Sequence, residues 1–228
     1  MNHYDKLMQI KHIVENASIE IFKKYNNELE LKFDNCNLLE DPDNSIESST
    51  AIGYLLESFL VSEFKKYKFS LSNMQITGTN GSTNTISYDC KCFYENILTL
   101  INIKANKLSA QNNAVAAINK LYKDFVETDR WQTKAYLVLK VYYSIGQAKP
   151  GEKRKIIIHN VSSYFLDEVD LFYEHMQDKR SWSENSNLTS GRLQISDDFF
   201  EKHKLSIGKV SYENTCDMLS AVKARASS

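Results

Sequence analysis

Glycine and proline are scarce in this chain of 228 residues, with seven and two copies respectively. Because these residues punctuate turns and interrupt helices and strands, their scarcity favours long elements joined by few tight turns. It also excludes collagen-like and low-complexity architectures, which need many of them. The remaining composition, 42% hydrophobic and 25% charged, is sufficient for one globular domain with a real core.

Long hydrophobic segments are also missing. No run approaches the roughly 18 apolar residues of a membrane span, and the N-terminal residues lack a signal-peptide profile. We therefore expect a cytoplasmic protein without membrane contacts. The four cysteines form no Cys-x-x-Cys pair, which favours reduced core residues over zinc ligands or disulfides.

Two groups of functional motifs are absent. Neither Gly-x-x-x-x-Gly-Lys-Ser/Thr nor Gly-x-Gly-x-x-Gly occurs, so no nucleotide cofactor is expected. The five histidines show no His-x-x-x-His spacing and no His-Asn-His motif. A zinc hydrolase and an HNH nuclease are therefore disfavoured.

The net charge of −1 does not by itself indicate nucleic-acid binding, but the charge is unevenly distributed. Residues 1–85 carry 8 basic and 12 acidic side chains, residues 86–160 carry 12 and 6, and residues 161–228 carry 8 and 11. A basic middle third is typical of phosphate binding. A solvated face on ordinary structural elements would carry the same charge.

The hydrophobic patterns alternate between helical and strand periods. Helices are predicted over 4–32, 49–67, 110–126 and 163–177, and a polar loop over 70–85. Strands are predicted over 86–94, 97–104, 135–145, 155–161 and 192–195. This order predicts an α/β fold in which a central mixed β-sheet is flanked by helices. We expect one domain over 1–228, with N-terminal helices in 1–35, a core over about 48–161 and a C-terminal region over about 162–228.

The strands over 86–94 and 97–104 are separated only by Glu95 and Asn96, which suits a tight antiparallel hairpin. In that register Asp89 lies opposite Asn102, and Lys104 points to the same face as Asn102. A carboxylate, an amide oxygen and a lysine on one patch suit a magnesium site that hydrolyses phosphodiesters. An exposed ion pair between strands is the plainer alternative. The opposite face of the hairpin is predicted to be buried in the core. It carries Tyr88, Cys90, Cys92, Ile97, Ile101 and Ile103.

Asp89, followed thirteen residues later by Asn102-Ile103-Lys104, resembles the motif of the PD-(D/E)XK nuclease superfamily, and among its members most resembles a type II restriction endonuclease. Upstream, Gly53-x-x-x-Glu57 is similar to the Gly-x-x-x-Glu of that family's first core helix. Asn102 stands where an acidic residue is usual. Tyr88 replaces a proline that has no chemical role.

The resemblance implies a restriction-endonuclease-like core in which Asp89 and Asn102 bind Mg²⁺, Glu57 reaches the metal through water, and Lys104 holds or activates the attacking water. Asn102→Asp is then expected to stay active or to shift the metal preference. The implied substrate is double-stranded DNA, cut at a specific site as in restriction-modification. Two cuts in a palindrome require a homodimer with two-fold symmetry. The alternatives are a Holliday-junction or repair nuclease on the same core, or a catalytically inactive DNA-binding or scaffold protein.

Sequence readout is predicted for the polar segment 180–194, which mixes side chains that read base edges with an aromatic wedge. Basic and amide side chains after the hairpin would contact phosphates or bases, although a solvated helix face fits them equally well. The loop over 79–84 would clasp the DNA. The residues predicted to contact DNA are Asn80, Lys107, Asn112, Lys120, Arg180, Trp182, Arg192 and Gln194.

Overall fold

The computed structural model describes residues 3–30, 49–69, 74–79, 85–109, 114–128, 133–146, 155–169, 192–194 and 212–226. It is a mixed α/β structure with a six-stranded mixed sheet between helices, which confirms the predicted fold class at that level. The helices are α1 (His3–Lys24), α2 (Ser49–Lys66), α3 (Ile118–Tyr122) and α4 (Tyr212–Ala226). The strands are β1 (Glu28–Leu29), β2 (Gln75–Gly78), β3 (Cys90–Tyr94), β4 (Ile97–Lys107), β5 (Ala114–Ala117), β6 (Lys134–Ile145), β7 (Ile156–Phe165) and β8 (Arg192–Gln194).

The sheet has the strand order β1-β7-β6-β4-β3-β2, and only the central pair β4 and β6 is parallel. Parallel neighbours need a crossover connection. Here the crossover contains β5, α3 and a π-helix, Lys123–Glu127. β5 pairs with β8 in a separate two-stranded sheet.

The first face of the sheet is covered by α1 and α2 and is apolar. Ile101 and Ile103 of β4 pack there beside Leu137 and Leu139 of β6. The helices contribute the fully buried residues Ile10, Val14, Ile21, Ile52 and Leu60. Cys90 and Cys92 are buried free thiols in this layer, as the cysteine pattern predicts.

The second face is covered by α3, the π-helix and α4. Its core joins Leu100, Tyr136, Val138 and Tyr164 of the sheet to the helical residues Ile118, Leu121, Phe125 and Leu219. Because β6 is covered on both faces, it reads as a nearly continuous apolar run. None of the described helices is long and apolar enough to span a membrane.

Several predicted boundaries are wrong. The first helix ends at Lys24, because Asn26 and Asn27 adopt positive φ angles of 55° and 58° and turn the chain into β1. The helix predicted over 110–126 begins as strand β5, whose pairing with β8 overrides the helical propensity of its alanines.

Two further boundaries also differ. The start of the helix predicted over 163–177 belongs to β7, which runs to Phe165 and continues as a 3₁₀ turn over Leu166–Glu168. The loop predicted over 70–85 contains β2. Tyr88 packs against the second face rather than with the cysteines on the first.

Candidate active site

The predicted hairpin register is present. Tyr94 pairs with Ile97, and Cys90 pairs with Ile101. Glu95, the first turn residue, has a φ of 50°, as a two-residue hairpin turn requires. The Asp89 N–H donates to the Ile101 carbonyl at 2.9 Å, so Asp89 lies just before β3 begins.

Asp89 is fixed by its neighbours on both sides. Its Oδ2 accepts the Ile103 backbone N–H at 2.7 Å. Its carbonyl accepts the Thr79 N–H at 3.2 Å and the Thr79 hydroxyl at 3.1 Å, at the end of β2. Burial raises the pKa of Asp89 above its usual value, while the Lys104 ammonium and the Ile103 N–H act in the opposite direction. Lys104 is therefore near enough to Asp89 for their charges to interact.

Glu57 reaches the same place from α2. The helix crosses β4 closely, because a Cβ added to Gly53 would lie 3.7 Å from the Ala105 Cβ. One turn after Gly53, Glu57 and Asp89 line a common cleft of about 210 Å³. Burial raises the pKa of Glu57 to about 7; the charge of Lys104 opposes this rise and that of Asp89 adds to it. Glu57 and Asp89 therefore line one cleft, and the charge of Lys104 acts on both of them.

Asn102 occupies a tight polar pocket and is only 2% exposed. Its Nδ2 lies 3.1 Å from the Ser87 carbonyl, 2.6 Å from the Val115 carbonyl and 2.8 Å from the Tyr136 hydroxyl. Two of these partners are backbone carbonyls, which only accept hydrogen bonds, so the amide nitrogen must face them. The amide oxygen is then the atom of Asn102 that would serve as a metal ligand.

The pocket around Asn102 is itself anchored. The Tyr136 hydroxyl donates to the Ser87 carbonyl. The Ser87 N–H donates to Oδ2 of Asp124 in the π-helix at 2.6 Å. Lys134 is 1% exposed, and its Nζ donates to carbonyls at the end of that helix, including those of Asp124 and Phe125 at 2.9 and 3.2 Å. Sequence reasoning missed this network, since a polar group paired only in the folded state leaves no periodic signal.

Of the residues predicted to read or hold DNA, four are described. Lys107 ends β4 and Lys120 lies in α3, and both are half-buried. Arg192 pairs in the backbone with Ala117, and Gln194 pairs with Ala114. The strand β8 therefore lies beside β5, whose Val115 carbonyl binds Asn102. Asn80, Asn112, Arg180 and Trp182 lie outside the described residues.

Among the residues that the structure describes, no three His, Cys, Asp or Glu side chains are grouped closely enough to hold a metal ion. The carboxylates that line the cleft are those of Glu57 and Asp89, and Asn102 is buried on the adjacent strand β4. Such hard oxygen ligands are those that Mg²⁺ prefers, and the ion usually keeps several waters besides one or two carboxylates. The donor set is therefore compatible with magnesium bound jointly with a substrate phosphate.

Comparison with protein-family models and with curated protein sequences found no match to this chain. The functional assignment therefore rests on the site itself.

Proposed function

We propose that the protein is a Mg²⁺-dependent endonuclease that hydrolyses phosphodiesters of double-stranded DNA at specific sequences, as a type II restriction enzyme with a restriction-endonuclease-like core. The observation that carries the proposal is that Glu57 and Asp89 line one cleft while the charge of Lys104 acts on both. Glu57 comes from α2 and Asp89 from the residue before β3, yet the charge of Lys104 on β4 opposes the rise in the pKa of both carboxyl groups. An incidental ion pair between Asp89 and Lys104 of the hairpin would not explain why Glu57 lines the same cleft as Asp89.

In this proposal Glu57, Asp89 and Asn102 hold the metal. Bound Mg²⁺ supplies Lewis-acid stabilisation of the phosphoryl oxygens and lowers the pKa of a bound water. Metal binding would favour the ionised forms of Asp89 and Glu57, whose two negative charges would then balance the charge of the ion.

Lys104 is the residue proposed to act on the reacting atoms. It is half-buried on β4, and its charge acts on both carboxylates. An ammonium there would orient the attacking water and stabilise the charge that accumulates on the phosphorus centre in the transition state. Lysine suits this task because it is a compact charge on a flexible stem.

Readout of the DNA sequence is proposed for β8 and the residues before it. The backbone of β8 pairs with β5, whose Val115 carbonyl binds Asn102, and this places the strand near the proposed site. Alanine at Arg192 or Gln194 should cost roughly 1–3 kcal/mol of discrimination per base pair and leave salt-sensitive, non-specific binding. Equal selectivity of these variants and the parent would move readout elsewhere.

The decisive experiment is digestion of plasmid DNA with Mg²⁺ and with EDTA, followed by sequencing of the fragment ends. Discrete fragments with one end sequence support a restriction enzyme acting as a homodimer on a two-fold symmetric site. Nicking of branched substrates alone would favour a junction or repair nuclease. A mobility shift without cutting would favour an inactive binding protein, for which the structural use of the Asn102 amide is the best support.

A further inference from the structure

A row of side chains on α2 lines the cleft beside Glu57 and has no role in the function proposed above. Tyr54, Ser58, Ser62 and Lys65 recur every three or four residues and therefore share one face of the helix. All four line the cleft of about 210 Å³, with Thr79 and Asp89 on the opposite wall. We call these four residues the α2 ridge.

The absence of a side chain at Gly78 leaves room for Lys65 on this ridge. A Cβ added to Gly78 of β2 would lie 2.5 Å from Cε and 3.0 Å from Nζ of Lys65, so any other residue there would displace the lysine from its present position across the strand. Its neighbour Lys66 is different. That side chain is 68% exposed, forms a 2.7 Å ion pair with Glu63 and does not line the cleft.

The chemistry of the α2 ridge suits an anionic ligand that accepts hydrogen bonds. Three hydroxyls and one ammonium offer donors, and among the described residues that line the cleft only Glu57 and Asp89 carry carboxylates. Tyr54 is 58% exposed, so its hydroxyl is open to a large ligand. Phosphate oxygens are the acceptors that such Ser, Tyr and Lys donors contact in protein–DNA complexes.

We propose that the α2 ridge binds the backbone phosphates that flank the scissile phosphate on one DNA strand. The ridge runs over twelve residues from Tyr54 to Lys65, whose eleven helical steps cover about 16 Å. Phosphates of one strand follow every ~3.4 Å along the duplex axis, so several lie within that length. This inference rests on the proposed function in one respect: it takes Asp89 to mark the position of the scissile phosphate.

The test compares Lys65→Gln with Lys66→Gln, which change the charge equally at adjacent positions of one helix. Binding of a fluorescein-labelled DNA duplex of arbitrary sequence is measured by anisotropy in EDTA over a range of salt concentrations. Losing one phosphate contact reduces the salt slope by about 0.9. We expect that reduction and a several-fold weaker affinity for Lys65→Gln, with both quantities near the parent values for Lys66→Gln.

A second measurement uses the neutral donors. Ser62→Ala and Tyr54→Phe should weaken binding without changing the salt slope, because a hydroxyl releases no counterion. Equal salt slopes for Lys65→Gln and Lys66→Gln would overturn the α2 ridge, even if the parent cuts DNA. Loss of binding by Lys65→Gln in a protein that cuts no DNA would support the ridge and reject the nuclease instead.

Discussion

The two faces of the central sheet differ in what they bury. The first face, under α1 and α2, buries almost only aliphatic, aromatic and thiol groups. The second face, under α3, the π-helix and α4, buries Asn102, Asp124 and Lys134 together with the Tyr136 hydroxyl. Buried polar groups cost free energy unless they are hydrogen-bonded, so they persist where they fix a specific geometry. The first face therefore mainly stabilises the fold, and the second also holds polar side chains in one orientation.

The candidate site lies at the border of these two regions. Glu57 belongs to a helix of the first face, whereas the pocket of Asn102 belongs to the second. At this border Asp89 lies just before β3, where its N–H bonds to the Ile101 carbonyl of β4. The site therefore combines two carboxylates of the α2 cleft with the neighbouring amide pocket of the second face.

The largest effect is expected from removing the groups at this border. Asp89→Ala and Lys104→Ala should each lower Mg²⁺-dependent plasmid cleavage by at least about 10²-fold, because charge stabilisation at the reacting phosphate is lost. Thermal unfolding should show that both variants remain folded. Lys91→Ala, which removes an exposed lysine of the adjacent strand β3, is the matched control and should cut normally. Full cutting by either site variant would reject the assignment.

The next effect concerns why residue 102 is asparagine. The sequence alone suggests that Asn102→Asp would be tolerated, but the hydrogen bonds revise this expectation. A carboxylate would face the Ser87 and Val115 carbonyls with no proton to donate. A buried polar group without a hydrogen-bond partner lowers the free energy of unfolding by roughly 1–3 kcal/mol.

We therefore expect Asn102→Asp to be less stable in urea denaturation and less active at neutral pH. The same substitution at Asn160, an exposed residue of β7, is the control and should change stability by less than about 0.5 kcal/mol. Equal stability and activity of the Asn102→Asp variant and the parent would show that the pocket rearranges.

The sequence predicted the parts of the molecule that depend on local patterns. The hairpin register from Cys90–Ile101 to Tyr94–Ile97 follows from a two-residue turn and strand alternation, and it is confirmed. The predicted position of Asp89 opposite Asn102 lies just beyond these pairs, and there the Asp89 N–H bonds to the Ile101 carbonyl. The pocket behind Asn102 could not be predicted, because Ser87, Asp124 and Tyr136 meet only through the crossover between two parallel strands. The strand β5 was missed for a similar reason, since its partner β8 lies about 75 residues further along the chain.

A smaller effect is expected from changing Tyr136. It tests whether the hydroxyl orients Asn102 or the ring merely fills the core. Tyr136→Phe keeps the buried ring and removes the hydroxyl that accepts the Asn102 N–H and donates to Ser87. We expect a loss of stability of about 1 kcal/mol. Because the amide oxygen would be less well held, the Mg²⁺ concentration for half-maximal cleavage should also rise several-fold.

Tyr164→Phe is the matched control for this experiment. Tyr164 lies on the neighbouring strand β7, is 3% exposed and takes part in none of the three hydrogen bonds of Asn102. Removing the Tyr164 hydroxyl should leave the Mg²⁺ concentration for half-maximal cleavage unchanged. If both variants shift the metal titration equally, the effect comes from general loosening of the second face.

The smallest effect concerns a buried carboxylate of the second face that lies outside the site. Asp167 follows β7 and accepts a 3.0 Å hydrogen bond from the Thr215 hydroxyl of α4. Burial raises the pKa of Asp167 to about 6; the Thr215 bond lowers it, and Glu168 and Glu213 raise it. The folded protein therefore holds this proton more tightly than the unfolded chain, whose aspartate pKa is about 4. The stability contributed by the protonated group is complete below about pH 4 and is lost as the pH rises through about 6.

Asp167→Asn should therefore make the protein more stable at neutral pH, because the amide keeps an oxygen for Thr215 and never becomes charged. The gain should be on the order of 1 kcal/mol at about pH 8 and should shrink towards pH 4, as measured by urea denaturation across this range. Asp217→Asn, which changes an exposed acid of the same helix α4, should not alter the pH dependence. If the stability of Asp167→Asn varies with pH as that of the parent does, Asp167 is ionised in the folded protein without loss of stability. The second face would then tolerate an ionised carboxylate away from the site, and burial of polar groups there would no longer indicate a positioning role.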